Sequence, residues 1–255
     1  MEQFKQSPRR TRSGYGPVAA AVVTVGVYFA SQVLVGVLVS LIPLANDWST
    51  QQLEAWLSGS VFAQFFAILL VEVTTLYLIW LFLRTRKVAL QKIGLVKPAA
   101  RDIGYALAGY AVYFAAFIAI STLAKTFLPG LDLEQEQEIG FSKETTGMAL
   151  GFIFASLVIL PPITEEIVAR GFLYTGLRSR LSKGAAAVIT SILFAAAHLQ
   201  WGSGTSLLWV AALDTFVLSL ILVYLREKTA SLWSPILVHM IKNGMAFLLL
   251  FVFKF

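Results

Sequence analysis

The chain has 255 residues, of which 58% are apolar and 13% are charged, and its net charge is +6. Because charged residues make up about 25% of a typical soluble domain, this composition excludes an ordinary water-soluble globular protein. The sequence contains no cysteine, which excludes disulfides, cysteine-ligated metals, a thiol nucleophile and lipidation of its own cysteines. The basic excess is typical of cytoplasmic membrane loops, so no nucleic-acid partner is expected.

Runs of mostly apolar residues recur along the chain, and about 20 such residues are enough to cross a bilayer as an α-helix. These runs predict an all-α fold, a polytopic transmembrane helical bundle of seven to eight spans. The first run is much longer than the apolar core of a signal peptide, so it is interpreted as an uncleaved span. The apolar segments are 17–43, 60–83, 102–127, 148–177, 184–200, 206–225 and 230–253.

The polar connectors alternate in charge, which predicts the orientation of the spans. Most of the 20 basic residues lie in the N-terminal tail and in every second connector after it, whereas the run 132–138 is acidic. By the positive-inside rule, the N-terminus of this multi-pass integral membrane protein is cytoplasmic, and the membrane is the plasma membrane if the source is prokaryotic. The chain divides into a cytoplasmic basic tail (1–16), two spans with a basic loop (17–100) and a second membrane region (101–255).

Two consecutive prolines, Pro161 and Pro162, lie in the middle of the fourth apolar segment. A proline removes one backbone donor, and its ring clashes with a carbonyl of the preceding turn. We therefore expect the fourth span to be kinked or broken just before Glu165. A complete break at this point would produce the eighth span.

Three charged side chains follow these prolines within the most hydrophobic half of the chain: Glu165, Glu166 and Arg170. Ionisable groups at membrane depth are costly and usually mark chemistry, transport or charge pairing. Glu166 and Arg170 are four residues apart and share a helix face, so an ion pair between them is expected. Glu165 is rotated about 100° from that face and stays free for another function.

Both histidines of the chain also lie in apolar segments. His198 ends the run that begins at Phe194, and His239 shares a helix face with Asn243. At ~1.5 Å of rise per residue, Glu165, His198 and His239 lie roughly 15 to 21 Å from the nearest basic connectors. These depths are similar and near the centre of a bilayer core about 30 Å thick, so the three side chains are expected to meet.

A buried carboxylate beside one or two imidazoles can activate a water molecule, with the carboxylate as the general base. The N–H groups of a histidine and an asparagine on one helix face are suited to stabilising an oxyanion. Together, these groups supply what the hydrolysis of an amide bond requires.

The ordered motifs on three separate segments are Glu165-Glu166-x-x-x-Arg170, Phe194-x-x-x-His198 and His239-x-x-x-Asn243. In combination they resemble the motifs of the CPBP family of intramembrane glutamic endopeptidases. That family includes the CAAX prenyl proteases of the Ras-converting type, the bacterial Abi group tied to bacteriocin immunity and the lysostaphin-resistance proteins. The resemblance covers roughly residues 100–253, and it identifies 101–255 as the protease-like membrane domain.

The resemblance implies a membrane-embedded endopeptidase in which Glu165 is the general base and His198 helps to hold the water. It also implies that His239 and Asn243 form the oxyanion hole. The implied supporting residues are Glu166, Arg170 and Phe194. The implied partners are the lipid bilayer and a membrane-anchored peptide or protein substrate, with CAAX-box protein processing as the family's activity. No cofactor or metal is expected, because the His-Glu-x-x-His signature is absent, although histidines and glutamates can also bind zinc.

Two other functions are compatible with the same residues. A non-catalytic membrane scaffold or a bacteriocin-immunity factor of the same fold would keep the motifs without hydrolysing a substrate. A proton-coupled transporter would use the glutamates and histidines as a proton relay, but no inverted repeat is visible in the hydropathy. Each motif by itself is also explained by a structural ion pair or an interhelical hydrogen bond.

Other polar residues have no motif around them. Glu72 and Asp214 are assigned structural or lumen-facing roles, and Lys242 is expected to neutralise Asp214 if the last two spans pack together. The serine-containing segment 202–206 is interpreted as a short external loop and not as a nucleophile site. The acidic run 132–138 is interpreted as a solvated loop.

Overall fold

The computed structural model describes residues 14–132, 135, 137, 139–200 and 207–254. Most of the basic tail 1–16, the serine-containing segment 202–206 and several positions of the acidic run 132–138 lie outside the described residues. Within the described residues the fold is entirely α-helical with no β-strand, so the predicted fold class is confirmed.

Eight helices of ten or more residues build the described part of the bundle. They are α1 (Pro17–Val39), α2 (Thr50–Gly59), α3 (Val61–Thr85), α4 (Ala100–Phe127), α5 (Ala149–Arg178), α6 (Lys183–Ala197), α7 (Trp209–Thr229) and α8 (Trp233–Val252). A short α-helix, Ile42–Asn46, and a 3₁₀-helix, Leu90–Ile93, lie in the connectors between them.

Six of the helices in the described ranges are long and apolar enough to cross a membrane, all except α2 and α6. Helix α6 has 15 residues, so it is roughly 22 Å long at ~1.5 Å per residue, less than a bilayer core of about 30 Å. It corresponds to the predicted apolar segment 184–200, and the six long helices correspond to the other six. Because α6 is shorter than a bilayer core, a helix of this length ends at His198 before it could cross the whole core.

Helix α5 continues through the two prolines without a break. Two π-helical stretches, Ala155–Ile159 and Ile167–Leu173, flank the α-helical turns that contain Pro161 and Pro162. The wider turn before the prolines lets the amide of Leu160 bond to the carbonyl five residues earlier. The distortion expected at this position is therefore present, and it takes the form of π-helical turns that keep the span continuous.

Helix α5 lies at the centre of the bundle, where it packs against α1, α3, α6, α7 and α8. Gly176 allows a close approach of α1, because a Cβ at this position would lie 2.4 Å from the Cβ of Ala20. Next to this contact, the ring of Tyr15 stacks on Phe172 at a centroid distance of 4.7 Å, and the Tyr15 hydroxyl donates to the Phe172 carbonyl. The N-terminal spans therefore pack directly on the helix that carries both glutamates.

The basic connectors meet at one end of the bundle. The loop after α3 reaches the start of α8, since the amide of Leu232 donates to the carbonyl of Gly94 at 3.0 Å. At the same end, Glu227 on α7 forms ion pairs with Arg178 at 2.9 Å and with Lys183 at 3.0 Å. Connectors that are distant in sequence thus lie on one side, as their alternating charge predicts.

The connector between α4 and α5 lies at the opposite end. The Gln135 side chain donates to the carbonyl of Leu207 at 3.2 Å. Glu144 pairs with Lys254 at 2.9 Å, and Phe141 is buried in a cluster that includes Phe251. Which end faces the cytoplasm remains a prediction of the charge pattern.

Candidate active site

A fully buried ion pair joins the second glutamate to the arginine of the same helix. Nη1 of Arg170 lies 2.8 Å from Oε1 of Glu166, and both side chains are 0% exposed. The guanidinium carbon of Arg170 also lies 4.1 Å from the centre of the Phe194 ring, in a cation–π contact. The predicted pairing at i and i+4 is confirmed, and it binds α5 to α6 through Phe194.

His239 on α8 is held by the same glutamate. Its Nδ1 atom lies 2.9 Å from Oε1 of Glu166, and the imidazole is almost completely buried. Its other nitrogen, Nε2, lies 3.8 Å from Oε2 of Glu165. The two adjacent glutamates therefore face opposite nitrogens of one ring.

His198 reaches the first glutamate from the end of α6. Its Nδ1 atom lies 2.8 Å from the backbone carbonyl of Phe194, one turn earlier. Its Nε2 atom lies 3.9 Å from Oε2 of Glu165. The meeting of Glu165, His198 and His239 that the matched depths predict is thus found in the structure.

Glu165 differs from Glu166 in its exposure. The Glu165 side chain is 32% exposed, whereas that of Glu166 is 0% exposed. The Oε2 atom of Glu165 is itself shielded, and it has no hydrogen-bond partner among the described residues. A carboxylate that is accessible at one side and faces two imidazole nitrogens at the other is positioned to contact a small molecule such as water.

Asn243 lies on α8, one turn beyond His239, and its amide has a partner that sequence reasoning did not foresee. Its Nδ2 atom donates to the backbone carbonyl of Leu157 at 2.9 Å. In a helix the carbonyl of Leu157 would accept from residue 161, or from residue 162 in a π-helical turn, but both residues are prolines without an N–H. The asparagine supplies the missing donor, and its second amide hydrogen is left for another acceptor.

Two further polar groups lie near this site. On α3, Glu72 is close enough to interact with the hydroxyl of Thr164 and the charge of Glu165, which sequence reasoning missed because Glu72 has no motif around it. Also on α8, Lys242 lies 2.8 Å from Oδ2 of Asp214, as expected. The other oxygen of Asp214 accepts a hydrogen bond from Tyr113 on α4, so each oxygen of this carboxylate has a partner.

A metal site would need several ligating side chains close to one point. Across the described residues, no group of three or more histidine, cysteine, aspartate or glutamate side chains is arranged to hold a metal ion. Zinc ligands lie about 2.0 to 2.2 Å from the ion when they are nitrogen or oxygen atoms. Metal-free chemistry stays a prediction of the sequence.

Comparisons with known proteins give a family match and a similar protein. Residues 147–245 match the family model of type II CAAX prenyl endopeptidases, Rce1-like. A protein of Escherichia coli described as "Uncharacterized 24.3 kDa protein" is 38% identical over 87 residues, which is 33% of this chain and 38% of that relative. The matched stretch thus spans well under two thirds of the relative's length. No solved structure matches the chain.

The family match and the geometry cover the same residues. All seven motif residues, from Glu165 to Asn243, fall within the matched range, and the described contacts bring the three motifs together. Residues 147–245 are therefore similar to an Rce1-like domain, and this match supports the resemblance of this part of the chain to the CAAX-type proteases.

Proposed function

We propose that this protein is an intramembrane endopeptidase that hydrolyses a peptide bond of a membrane-anchored substrate. One observation carries the proposal: Oε2 of Glu165 lies 3.8 Å from Nε2 of His239 and 3.9 Å from Nε2 of His198. These gaps are too long for direct hydrogen bonds, and their length suits a water molecule that contacts all three atoms.

In the proposed reaction, Glu165 accepts a proton from this water while the water oxygen attacks the carbonyl carbon of the substrate. His198 holds the water in position. The carbonyl oxygen becomes an oxyanion, which receives the free amide hydrogen of Asn243 and a hydrogen bond from His239. Collapse of the tetrahedral intermediate breaks the C–N bond, the amine leaves with a proton, and the other product is a carboxylic acid.

Asn243 is well suited to this role because its orientation is already determined. Its first amide hydrogen is bound to the carbonyl of Leu157, so the amide group does not need to be ordered when the oxyanion forms. Preorganised donors of this kind stabilise a transition state without a reorganisation cost.

The substrate is proposed from the position of the site and the name of the matching family. Glu165 and His239 lie on helices long and apolar enough to span a membrane, so the cleaved bond must reach bilayer depth. In a cell with prenylated proteins, a C-terminal CAAX segment meets this requirement. In a prokaryotic cell, membrane peptides or lipoprotein-like segments meet it, and the enzyme would lie in the plasma membrane with its N-terminus in the cytoplasm.

The test uses the purified full chain in lipid bicelles with an internally quenched peptide, with and without a prenyl anchor. We expect cleavage of the anchored peptide and a loss of about 10²- to 10⁴-fold in kcat for Glu165→Gln, the usual contribution of a general base. Glu54→Gln, at an exposed position of α2, serves as the matched control. Undiminished cleavage by Glu165→Gln would refute the proposed mechanism.

Two additional measurements separate the alternatives. We propose a metal-free reaction, so prior incubation with a strong zinc chelator should leave kcat unchanged, and a loss that zinc restores would assign a metal to the site. If Glu165→Gln and His198→Ala both preserve the cellular phenotype at normal protein levels, the protein acts as a scaffold or immunity factor of the same fold.

A further inference from the structure

The hydrogen-bond partner of each histidine determines which ring nitrogen carries the proton. Nδ1 of His198 faces the backbone carbonyl of Phe194 at 2.8 Å. A carbonyl oxygen only accepts hydrogen bonds, so Nδ1 must be the donor. In the neutral ring, Nε2 of His198 then carries a lone pair and no proton.

The same argument applies to His239. Its Nδ1 atom faces Oε1 of Glu166 at 2.9 Å, and the same oxygen accepts the N–H of Arg170 at 2.8 Å. All three side chains are buried, so solvent does not compete for these bonds. As the partner of Arg170 in an ion pair, Glu166 is ionised and only accepts hydrogen bonds, so Nδ1 of His239 is also the donor. Nε2 of the neutral ring then carries a lone pair and faces Glu165.

Three hydrogen-bond acceptors thus converge at the centre of the site: Oε2 of Glu165, Nε2 of His198 and Nε2 of His239. A bridging water can donate to two of them, and none of the three can donate to a substrate. Neutral His239 cannot stabilise an oxyanion through Nε2 until that nitrogen gains a proton.

We propose that His239 is the proton carrier of the reaction and that Glu166 is the positioning residue that keeps it in the Nδ1–H form. This inference rests on the proposed peptidase function. Glu165 takes the proton from water and passes it to Nε2 of His239, which becomes an imidazolium ion. Its Nδ1–H stays bound to Glu166, whose negative charge stabilises the cation, as in other carboxylate–histidine pairs.

The proton and electron balance is complete without a further reactant. The O–H bond of water breaks, the new C–O bond forms, and the carbonyl π pair moves onto oxygen. The imidazolium Nε2–H of His239 first donates to that oxyanion. When the C–N bond breaks, the amine nitrogen takes the proton from Nε2, and Glu165 and His239 return to their starting states.

The charged and titratable groups near His239 lie on α5, on α8 and at the end of α6. Glu165, Glu166 and Arg170 face it from α5, and Lys242 lies on its own helix α8, with His198 at the end of α6. Lys242 is paired with Asp214 on α7. Glu166 is the anion in direct contact with Nδ1, and its negative charge can offset a positive charge on the ring.

The decisive measurement is possible because the chain has only two histidines. Ring-¹⁵N-labelled histidine in a His198→Gln variant gives the NMR signals of His239 alone. In bicelles without ligand we expect a protonated Nδ1 and an unprotonated Nε2. The second measurement uses the protein that retains His198, with a peptide aldehyde bound as a mimic of the tetrahedral intermediate. In this complex we expect both nitrogens of His239 to be protonated. An Nε2–H form without ligand, or a neutral ring with the aldehyde, overturns the proposal.

Activity provides an independent readout. Glu166→Gln keeps the volume and the acceptor for Arg170 but removes the negative charge, so we expect kcat to fall by at least about 10²-fold with little change in KM and with the imidazolium signal lost. Glu144→Gln, an exposed glutamate outside the spans, is the control. Undiminished kcat in Glu166→Gln overturns the carrier role while wild-type cleavage still supports the peptidase. If the wild type cleaves nothing, the peptidase proposal fails, and the ligand-free NMR signals still decide the role of Glu166.

Discussion

The amide of Asn243 on α8 donates a hydrogen bond to the backbone carbonyl of Leu157 on α5 at 2.9 Å. This bond explains how a membrane-spanning helix carries two consecutive prolines just before its glutamates. The prolines remove the backbone donors that the carbonyl would otherwise use, and lipid offers no replacement. The Asn243 side chain therefore supplies a hydrogen-bond donor to the distorted turn of α5, and the same bond holds it one helical turn from His239.

The first prediction concerns this bond. Asn243→Ala leaves the carbonyl of Leu157 without a donor in a part-buried position, and we expect the free energy of unfolding to fall by about 1–3 kcal/mol. Met245→Ala, at an exposed position of the same helix, is the control. Reversible denaturant unfolding of both variants in mixed micelles provides the comparison, and equal stability would show that another group satisfies this carbonyl.

The buried pair of Glu166 and Arg170 leads to a second prediction. Arg170→Met leaves a carboxylate without its cation at a position that is 0% exposed, and we expect a loss of about 3–5 kcal/mol. The double variant Glu166→Gln, Arg170→Met removes both charges and should recover much of this loss. The thermal midpoints of the three proteins in one detergent test this order, and a double variant less stable than Arg170→Met contradicts it.

A third prediction concerns the ion pair between Lys242 on α8 and Asp214 on α7. Lys242 and Asp214 lie 2.8 Å apart and are both mostly shielded, so removing one charge should cost more than removing both. Lys242→Met, Asp214→Asn and the double variant form a thermodynamic cycle, in which we expect a coupling energy of about 0.5–3 kcal/mol. Additive effects of the two substitutions would mean that the pair contributes no net stability.

Much of the candidate site was predictable because its determinants are local. The spacing of Glu166 and Arg170 on one helix face is sufficient to predict their pairing, and the structure confirms it. The depth of Glu165, His198 and His239 follows from counting residues between basic connectors. These inferences depend only on helix geometry and on the positions of charged loops.

The features that could not be predicted depend on how helices pack. The contact between Asn243 and Leu157 requires α8 to lie against the distorted turn of α5, and no local pattern specifies that register. The position of Glu72 near Glu165 depends in the same way on the packing of α3 against α5. The continuity of α5 through its prolines was also not evident, because neighbouring side chains supply the missing donors.

The last prediction concerns the junction of the basic connectors. Gly94 has a φ of +91°, a conformation that costs other residues about 1–2 kcal/mol, and a Cβ there would lie 2.5 Å from Nε of Arg226. We therefore expect Gly94→Ala to lower the free energy of unfolding by at least that amount. Gly104→Ala is the matched control, because no atom lies within 4 Å of its Cβ and it is helical. Its stability should stay equal or rise by up to about 1 kcal/mol. Denaturant unfolding of both variants in the same micelles tests the difference, and an equal effect at the two glycines would contradict the close approach of Arg226 to this loop.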